Sequence, residues 1–288
     1  MNHSMINALV GMQGLQQKLD VIANNMANLN TTGFKKKEAI FHDVLTTTMR
    51  QPETFMQPGR LTPLGLTQGW GAKISQIRTV MAQGPLKETG QPTDLAIEGD
   101  AMFEIAVPTL DENGRPTVRQ AWTRDGAFTL VPRPEDAENL HLVTAQGYPV
   151  VDVNGEPVRV PVNHSIKVDP DGTIFAYDDR APDAAPFVVG QIRLVQVLRP
   201  QMLIHMGDNA YTLPDYIDPA LEQVVRQLDP NDPEVANVAV RQGFLEQSNV
   251  NVAEEMAELI AAQRAYQLNA RALVSADNLM HLANTLRG

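Results

Sequence analysis

Two long amphipathic patterns close the ends of this chain and leave strand-and-turn sequence between them. Met5, Ala8, Met12, Leu15, Leu19, Ile22, Met26 and Leu29 follow one another at alternating spacings of 3 and 4. Near the C-terminus Leu259, Ala262, Tyr266, Asn269, Leu273, Ala276, Met280 and Ala283 repeat that rhythm, with Asn269 the only polar member. A mean step of about 3.5 residues keeps one narrow apolar seam turned toward a partner helix, the coiled-coil condition. The spacing predicts helices over residues 2–29 and 252–286, roughly 40 and 50 Å long at about 1.5 Å per residue. The first stops in Asn28-Leu29-Asn30-Thr31-Thr32-Gly33, where Asn and Gly accept a left-handed backbone. Asn269 at a seam position lowers stability while fixing register. The expectation is an α+β chain whose terminal helices pair as a coiled coil and which assembles through its ends.

Between the helices the punctuation is that of an antiparallel, hairpin-rich sheet. Asn113-Gly114, Asp125-Gly126, Asn154-Gly155 and Asp171-Gly172 are hairpin signals. Strand candidates are 101–107, 117–124, 127–131, 141–144, 158–162, 173–177 and a long, buried run over 187–198. Residues 51–72, with Pro52, Pro58, Pro63 and four glycines, predict an extended linker or an excursion that pairs elsewhere. Pro214, Pro219, Pro230 and Pro233 mark a second irregular stretch. The domains expected are a discontinuous helical one (1–33 and 248–288), connecting segments (34–72 and 214–247) and a β-rich core (73–213). Lys35, Lys36 and Lys37 predict a solvated turn beside a helix C-terminus, where cations suit the helix dipole.

The net charge of −11 is concentrated in the middle, where residues 51–240 hold 14 basic and 26 acidic side chains. An acidic middle excludes a phosphate-binding footprint, so no nucleic-acid partner is expected. The chain has no Cys, which rules out disulfides and thiolate chemistry. No cleavable leader is expected, because the first Lys or Arg is Lys18 and no charged n-region precedes an apolar run. No stretch approaches the ~18 apolar residues of a membrane helix.

No set of residues nominates a reaction. The six His, at 3, 42, 141, 164, 205 and 281, form no i, i+4 pair beside a carboxylate. Asp169-Pro170-Asp171-Gly172 resembles the opening of a calcium loop, but its twelfth position is Arg180 and the segment explains itself as a turn. A Gly-x-Ser-x-Gly elbow and a phosphate loop are both missing. No catalytic, cofactor-binding or metal residue is assigned, and neither cofactor nor small-molecule substrate is expected. The competing class is a secreted β-rich hydrolase or carbohydrate-binding module dimerised by its helical ends. Paired carboxylates that meet only in three dimensions would serve it.

The terminal residues carry more than periodicity. The run Ile22-Ala23-Asn24-Asn25-Met26-Ala27-Asn28-Leu29-Asn30-Thr31-Thr32-Gly33-Phe34-Lys35 resembles the N-terminal signature of the bacterial flagellar rod and hook axial proteins. Ser248-Asn249-Val250-Asn251-Val252-Ala253-Glu254-Glu255-Met256, continuing through Ala262-Gln263-Arg264-Ala265-Tyr266, resembles their C-terminal signature. Leu95–Phe103 and Thr123–Phe128 are similar to core-domain motifs of that family. Within it the chain is most similar to the distal rod type, through the 51–72 excursion. A proximal rod or hook-type paralogue is the alternative.

The resemblance implies a structural subunit exported by the flagellar type III apparatus and localised to the basal body in the cell envelope. It implies a helical homopolymer, joined to other rod and hook axial proteins, that transmits torque from motor to hook. The seam residues expected to mediate assembly are Met12, Leu15, Leu19, Ile22 and Met26 with Leu259, Tyr266, Asn269, Leu273 and Met280. The motif positions carried by the resemblance are Asn24, Asn25, Asn28, Thr32, Gly33, Phe34, Asn249, Val250, Asn251, Glu255, Gln263 and Arg264.

Overall fold

The computed structural model describes residues 2–43, 46–49, 66–110, 116–133, 136–178, 180, 185–214, 224–228 and 238–287. The chain divides into two compact units. Unit 1 comprises Met1–Ala27, Lys37–Arg78 and Asn251–Gly288, and unit 2 comprises Asn28–Lys36 and Thr79–Val250.

In unit 1, helix α1 spans Asn2–Ala27 and helix α2 spans Val252–Arg287. Asn251 starts α2 as its cap: its side-chain oxygen accepts the Ala253 amide at 3.1 Å while its Nδ2 donates to Glu254 at 3.2 Å. The helices run antiparallel, since Asn25 meets Glu255, Lys18 meets Glu258 at 3.1 Å, and Gly11 faces Asn269. Strands β1 (Lys37–Asp43) and β2 (Thr46–Met49) are hydrogen-bonded to β4 (Ala72–Thr79) and β3 (Leu66–Gly69) respectively. The 51–72 stretch therefore pairs with the chain before it through Leu66–Gly69, and residues 51–65 lie outside the described residues. Helix α1 also packs on this ribbon. Asn7 Nδ2 donates to the Gly69 carbonyl at 3.1 Å, and a Cβ on Gly14 would stand 3.1 Å from the Phe41 ring.

Unit 2 is antiparallel sheet. Its first eight strands are β5 (Leu86–Glu88), β6 (Leu95–Glu98), β7 (Met102–Leu110), β8 (Pro116–Thr123), β9 (Thr129–Arg133), β10 (Asp136–Val143), β11 (Arg159–Pro161) and β12 (His164–Val168). They are followed by β13 (Thr173–Asp178), β14 (Phe187–Gln191), β15 (Leu194–Val197), β16 (Ile204–Gly207), β17 (Ala210–Thr212), β18 (Val225–Gln227), β19 (Ala239–Gln242) and β20 (Phe244–Glu246). The largest sheet has six strands in the order β16-β17-β8-β7-β15-β18. Three-stranded sheets β11-β10-β9 and β12-β13-β14, and the pairs β19-β6 and β20-β5, complete the unit. Alternation along β7 sends Phe103, Ile105 and Val107 into a core with Leu95, Phe128, Leu142, Val150, Ile174 and Ile192. The opposite face buries Met102, Trp122, Val195 and Tyr211 in a second cluster, so both faces of this sheet are covered.

Three expectations are corrected here. The run 187–198 is not one strand. Phe187–Gln191 joins β13, Ile192 turns into the core, and Leu194–Val197 pairs with β7 and β18 in another sheet. Arg193 at the break is held by Glu104 at 3.0 Å and the Val153 carbonyl at 2.5 Å. Asp125-Gly126 is not a hairpin, because β8 and β9 lie in different sheets. Gly126 is needed there because a Cβ would overlap the Leu95 carbonyl. Segment 214–235 also contributes a strand, β18; its residues 215–223 and 229–235 lie outside the described residues. Asp171-Gly172 does turn β12 into β13, and Asn154-Gly155 closes a tight turn with Gly155 at φ 86°. Asn113-Gly114 lies outside the described residues. A hairpin not anticipated is Asp208-Asn209, with φ of 51° and 55°, joining β16 to β17.

Candidate assembly interface

The seam residues occupy the sheltered faces of the two helices. Ile22 is buried, and Met12, Leu15, Leu19 and Met26 are half-buried on α1. Leu259, Tyr266, Asn269, Leu273 and Met280 are half-buried on α2, with Ala262 and Ala276 buried among them; Ala283 lies outside the described side chains. At Asn269 the opposing surface is Gly11, where an added Cβ would come within 3.1 Å of the Asn269 amide nitrogen. A side chain at Gly11 would therefore crowd the polar seam residue and require its amide to shift.

A second apolar stripe on α2 is exposed. Met256, Ile260, Leu268, Leu279, Leu282 and Leu286 are each at least half exposed, from 50% at Ile260 to 84% at Leu286. On α1, Ile6 and Leu9 are exposed as well. The sequence seam does not contain this stripe, because heptad spacing selects one face and hides apolar residues on another.

The motif residues fall into two groups. In unit 1, Asn25 and Glu255 are buried, and Asn25 Nδ2 donates to Glu255 at 3.2 Å and to the Lys37 carbonyl at 2.8 Å. Asn24, Gln263 and Arg264 are exposed. Asn251 caps α2 as described.

The second group converges in unit 2. Asn28 Oδ1 accepts from the Thr31 hydroxyl at 3.2 Å, and Thr32 Oγ1 donates to Asp125 at 2.8 Å. Burial holds the Asp125 carboxyl above the usual carboxylate range despite that bond. Gly33 has φ 66°, and a Cβ there would lie 2.5 Å from the Asp125 amide nitrogen. Phe34 and Val250 are buried. Asn249 accepts the Lys36 amide at 2.7 Å and donates to the carbonyls of Val80 and Ala82, both at 2.9 Å.

At the centre of this group lie three charged residues that periodicity did not nominate. Lys35 Nζ meets Glu246 at 2.6 Å, and Arg124 meets the other carboxylate oxygen at 2.9 Å. Lys35 is 1% exposed. This corrects the solvated-turn expectation for Lys35: its charge is buried against a carboxylate rather than hydrated. Burial, reinforced by the Arg124 charge, pushes the Lys35 ammonium below its ordinary range, against the pull of Glu246. No sequence signal short of the motif itself marks this contact, since Lys35 and Glu246 are 211 residues apart.

Among the described residues no three His, Asp or Glu side chains gather as a metal site, and no helix is long and apolar enough to cross a membrane.

Comparison with known proteins agrees with the motifs. Residues 5–35 match the family "Flagella basal body rod protein", residues 96–176 match "Flagellar hook protein FlgE/F/G D1 domain", and residues 241–286 match "Flagellar basal body rod FlgEFG protein C-terminal". The chain is 33% identical to the flagellar basal-body rod protein FlgG of Borreliella burgdorferi, over all of this chain and 99% of that protein. It is 34% identical to the flagellar hook-basal body complex protein FlhP of Bacillus subtilis, over the full length of both. The Caulobacter vibrioides FlgG is 31% identical over 97% of each chain. With terminal and core matches in the family's order and relatives similar from end to end, this chain belongs to the flagellar basal-body rod protein family.

Proposed function

We propose that this chain, a structural subunit of the flagellar basal-body rod, polymerises through the exposed apolar stripe of α2. The observation that carries this reading is that α2 has two apolar faces and only one is sheltered within the chain. Burying a Leu side chain contributes about 1.5–3 kcal/mol, so a stripe of such residues along a 36-residue helix is a strong driver of association. The occupant is a neighbouring copy, or another axial protein at either end of the rod. A heterologous contact that repeats without closing gives an open helical filament, the form a drive shaft requires. The seam residues Met12, Leu15, Leu19, Ile22 and Met26 with Leu259, Tyr266, Asn269, Leu273 and Met280 pair α1 with α2 as a coiled coil inside each subunit. That pairing presents the outer stripe.

The names carried by the relatives, basal-body rod protein and hook-basal body complex protein, support a place in the rod beside the hook; our reading is a distal position and a role in torque transmission. Delivery is by the flagellar type III export apparatus. The discriminating experiment places Leu268→Asp and Leu279→Asp together in a strain lacking the native subunit. The expected result is a purified subunit with unchanged helix content and melting temperature, and basal bodies without this part of the shaft. Shafts of normal length and number would count against the stripe.

A further inference from the structure

Within unit 2 the chain passes three times through one small volume, at Gly33–Lys36, at Val80–Gly84 and at Glu246–Asn249. The Glu246 carboxylate joins all three passes. One oxygen accepts from Lys35 Nζ at 2.6 Å and from the Gly84 amide at 2.8 Å. The other accepts from Arg124 at 2.9 Å, and the Glu246 backbone carbonyl accepts the Gly33 amide at 2.9 Å. Arg124 is anchored in turn to the carbonyls of Ile97 and Gly99. Lys35, Arg124 and Glu246 are between 1% and 3% exposed.

This is an expensive way to fill space. Two buried cations face one carboxylate, and well-packed apolar residues of similar volume commonly stabilise as much or more. The best-attested use of such a group is to specify one arrangement among competitors. Gly33 and Gly84 have no side chain of their own to select a register, so it falls to Asn249, which bonds Lys36, Val80 and Ala82, and to the charged contact of Glu246. A Cβ on Gly84 would overlap the Gln247 carbonyl, so the passes also lie too close for a packed alternative.

We propose that Glu246 is a positioning residue: its carboxylate fixes the mutual register of the three segments through which the chain enters and leaves unit 2. The register is a property of the single subunit; its importance to the shaft rests on the assembly reading above.

The test is amide hydrogen exchange on the purified full chain, in wild type, Glu246→Gln, Glu246→Asp and Lys35→Met. Glu246→Gln removes the one carboxylate bonded to both cations, leaving Lys35 only the more distant charge of Asp100. The amides of Gly33, Lys36 and Gly84 should then exchange about tenfold faster or more, with core amides such as Val150 unchanged. Glu246→Asp keeps the charge and the fold but is too short to reach both cations. It should show the same local pattern, and it serves as the readout if Glu246→Gln does not fold. Lys35→Met leaves a balanced Glu246–Arg124 pair, and the Ala82 carbonyl still accepts from Asn249. Its exchange should stay within about threefold of wild type. Uniform acceleration across unit 2, no acceleration, or a Lys35→Met as disruptive as Glu246→Gln would overturn the assignment. Failure of the assembly reading is seen separately, as stripe variants that still build shafts while Glu246 variants show the local loosening.

Discussion

Asn25 donates its side-chain amide to Glu255 across 3.2 Å, and both side chains are 1% exposed. The same amide group also pairs twice with the Lys37 backbone, at 2.8 and 2.9 Å. One short side chain thus ties the end of α1 to the start of α2 and to β1. Asn25→Asp replaces a donor by a second carboxylate beside Glu255 and should destabilise unit 1 by about 3 kcal/mol or more. Asn25→Ala, which adds no charge, should cost less. Thermal unfolding of the two variants followed by helix signal checks the order.

Gly11 and Asn269 form a matched pair of absence and presence. Gly11→Val should destabilise the helix pair by roughly 1–3 kcal/mol through overpacking. Gly11→Ala should be tolerated better when combined with Asn269→Ala than alone. A double-mutant cycle measured by chemical denaturation should return a coupling of about 0.5 kcal/mol or more; additive single effects would show that the two do not touch.

Gly33 combines a left-handed backbone with close approach to Asp125. Gly33→Ala meets both penalties and should cost on the order of 3 kcal/mol. Gly90 has φ 70° with nothing within 4 Å of its added Cβ, so Gly90→Ala isolates the backbone penalty and should cost about 1–2 kcal/mol. Parallel denaturant melts of the two variants check the difference.

His141 is buried, and among the described residues neither ring nitrogen has a hydrogen-bond partner. Asp136 lies 3.8 Å away, and Arg159 is its cross-strand neighbour. Burial, with Arg133 and Arg159 nearby, holds the imidazole below its ordinary value of 6.5, against the pull of Asp136. The unfolded chain therefore binds the proton first, so stability falls as pH drops below about 6.5 and levels off beneath the folded value. His141→Leu should flatten the acid side of the stability–pH curve between pH 7 and 5, measured by denaturant titration. An unchanged slope would show that His141 does not titrate on unfolding.

The parts of the fold legible in the sequence are those written in short repeats. The spacing at Met12, Leu15, Leu19 and Ile22 placed α1 within two residues of its end, and the expected start of the second helix at residue 252 is where α2 begins. Residues whose partners lie far along the chain were not legible. Lys35 looked solvated within a run of three lysines because nothing local announces a carboxylate 211 residues away. The run from Phe187 to Leu198 looked like one buried strand because apolar composition does not report a change of sheet. At the candidate interface, spacing identified an apolar face on each helix. It had no means of showing that Leu268, Leu279 and Leu286 form another, since that stripe is defined by exposure.

Assembly through the outer stripe of α2 is tested most directly by site-specific photo-crosslinking in isolated basal bodies. A crosslinking side chain at Leu279 should join neighbouring subunits and give a ladder of multimers, whereas the same group at Leu273 should crosslink only within its own chain. A ladder from Leu273 with none from Leu279 would reverse the assignment of the two faces and contradict it.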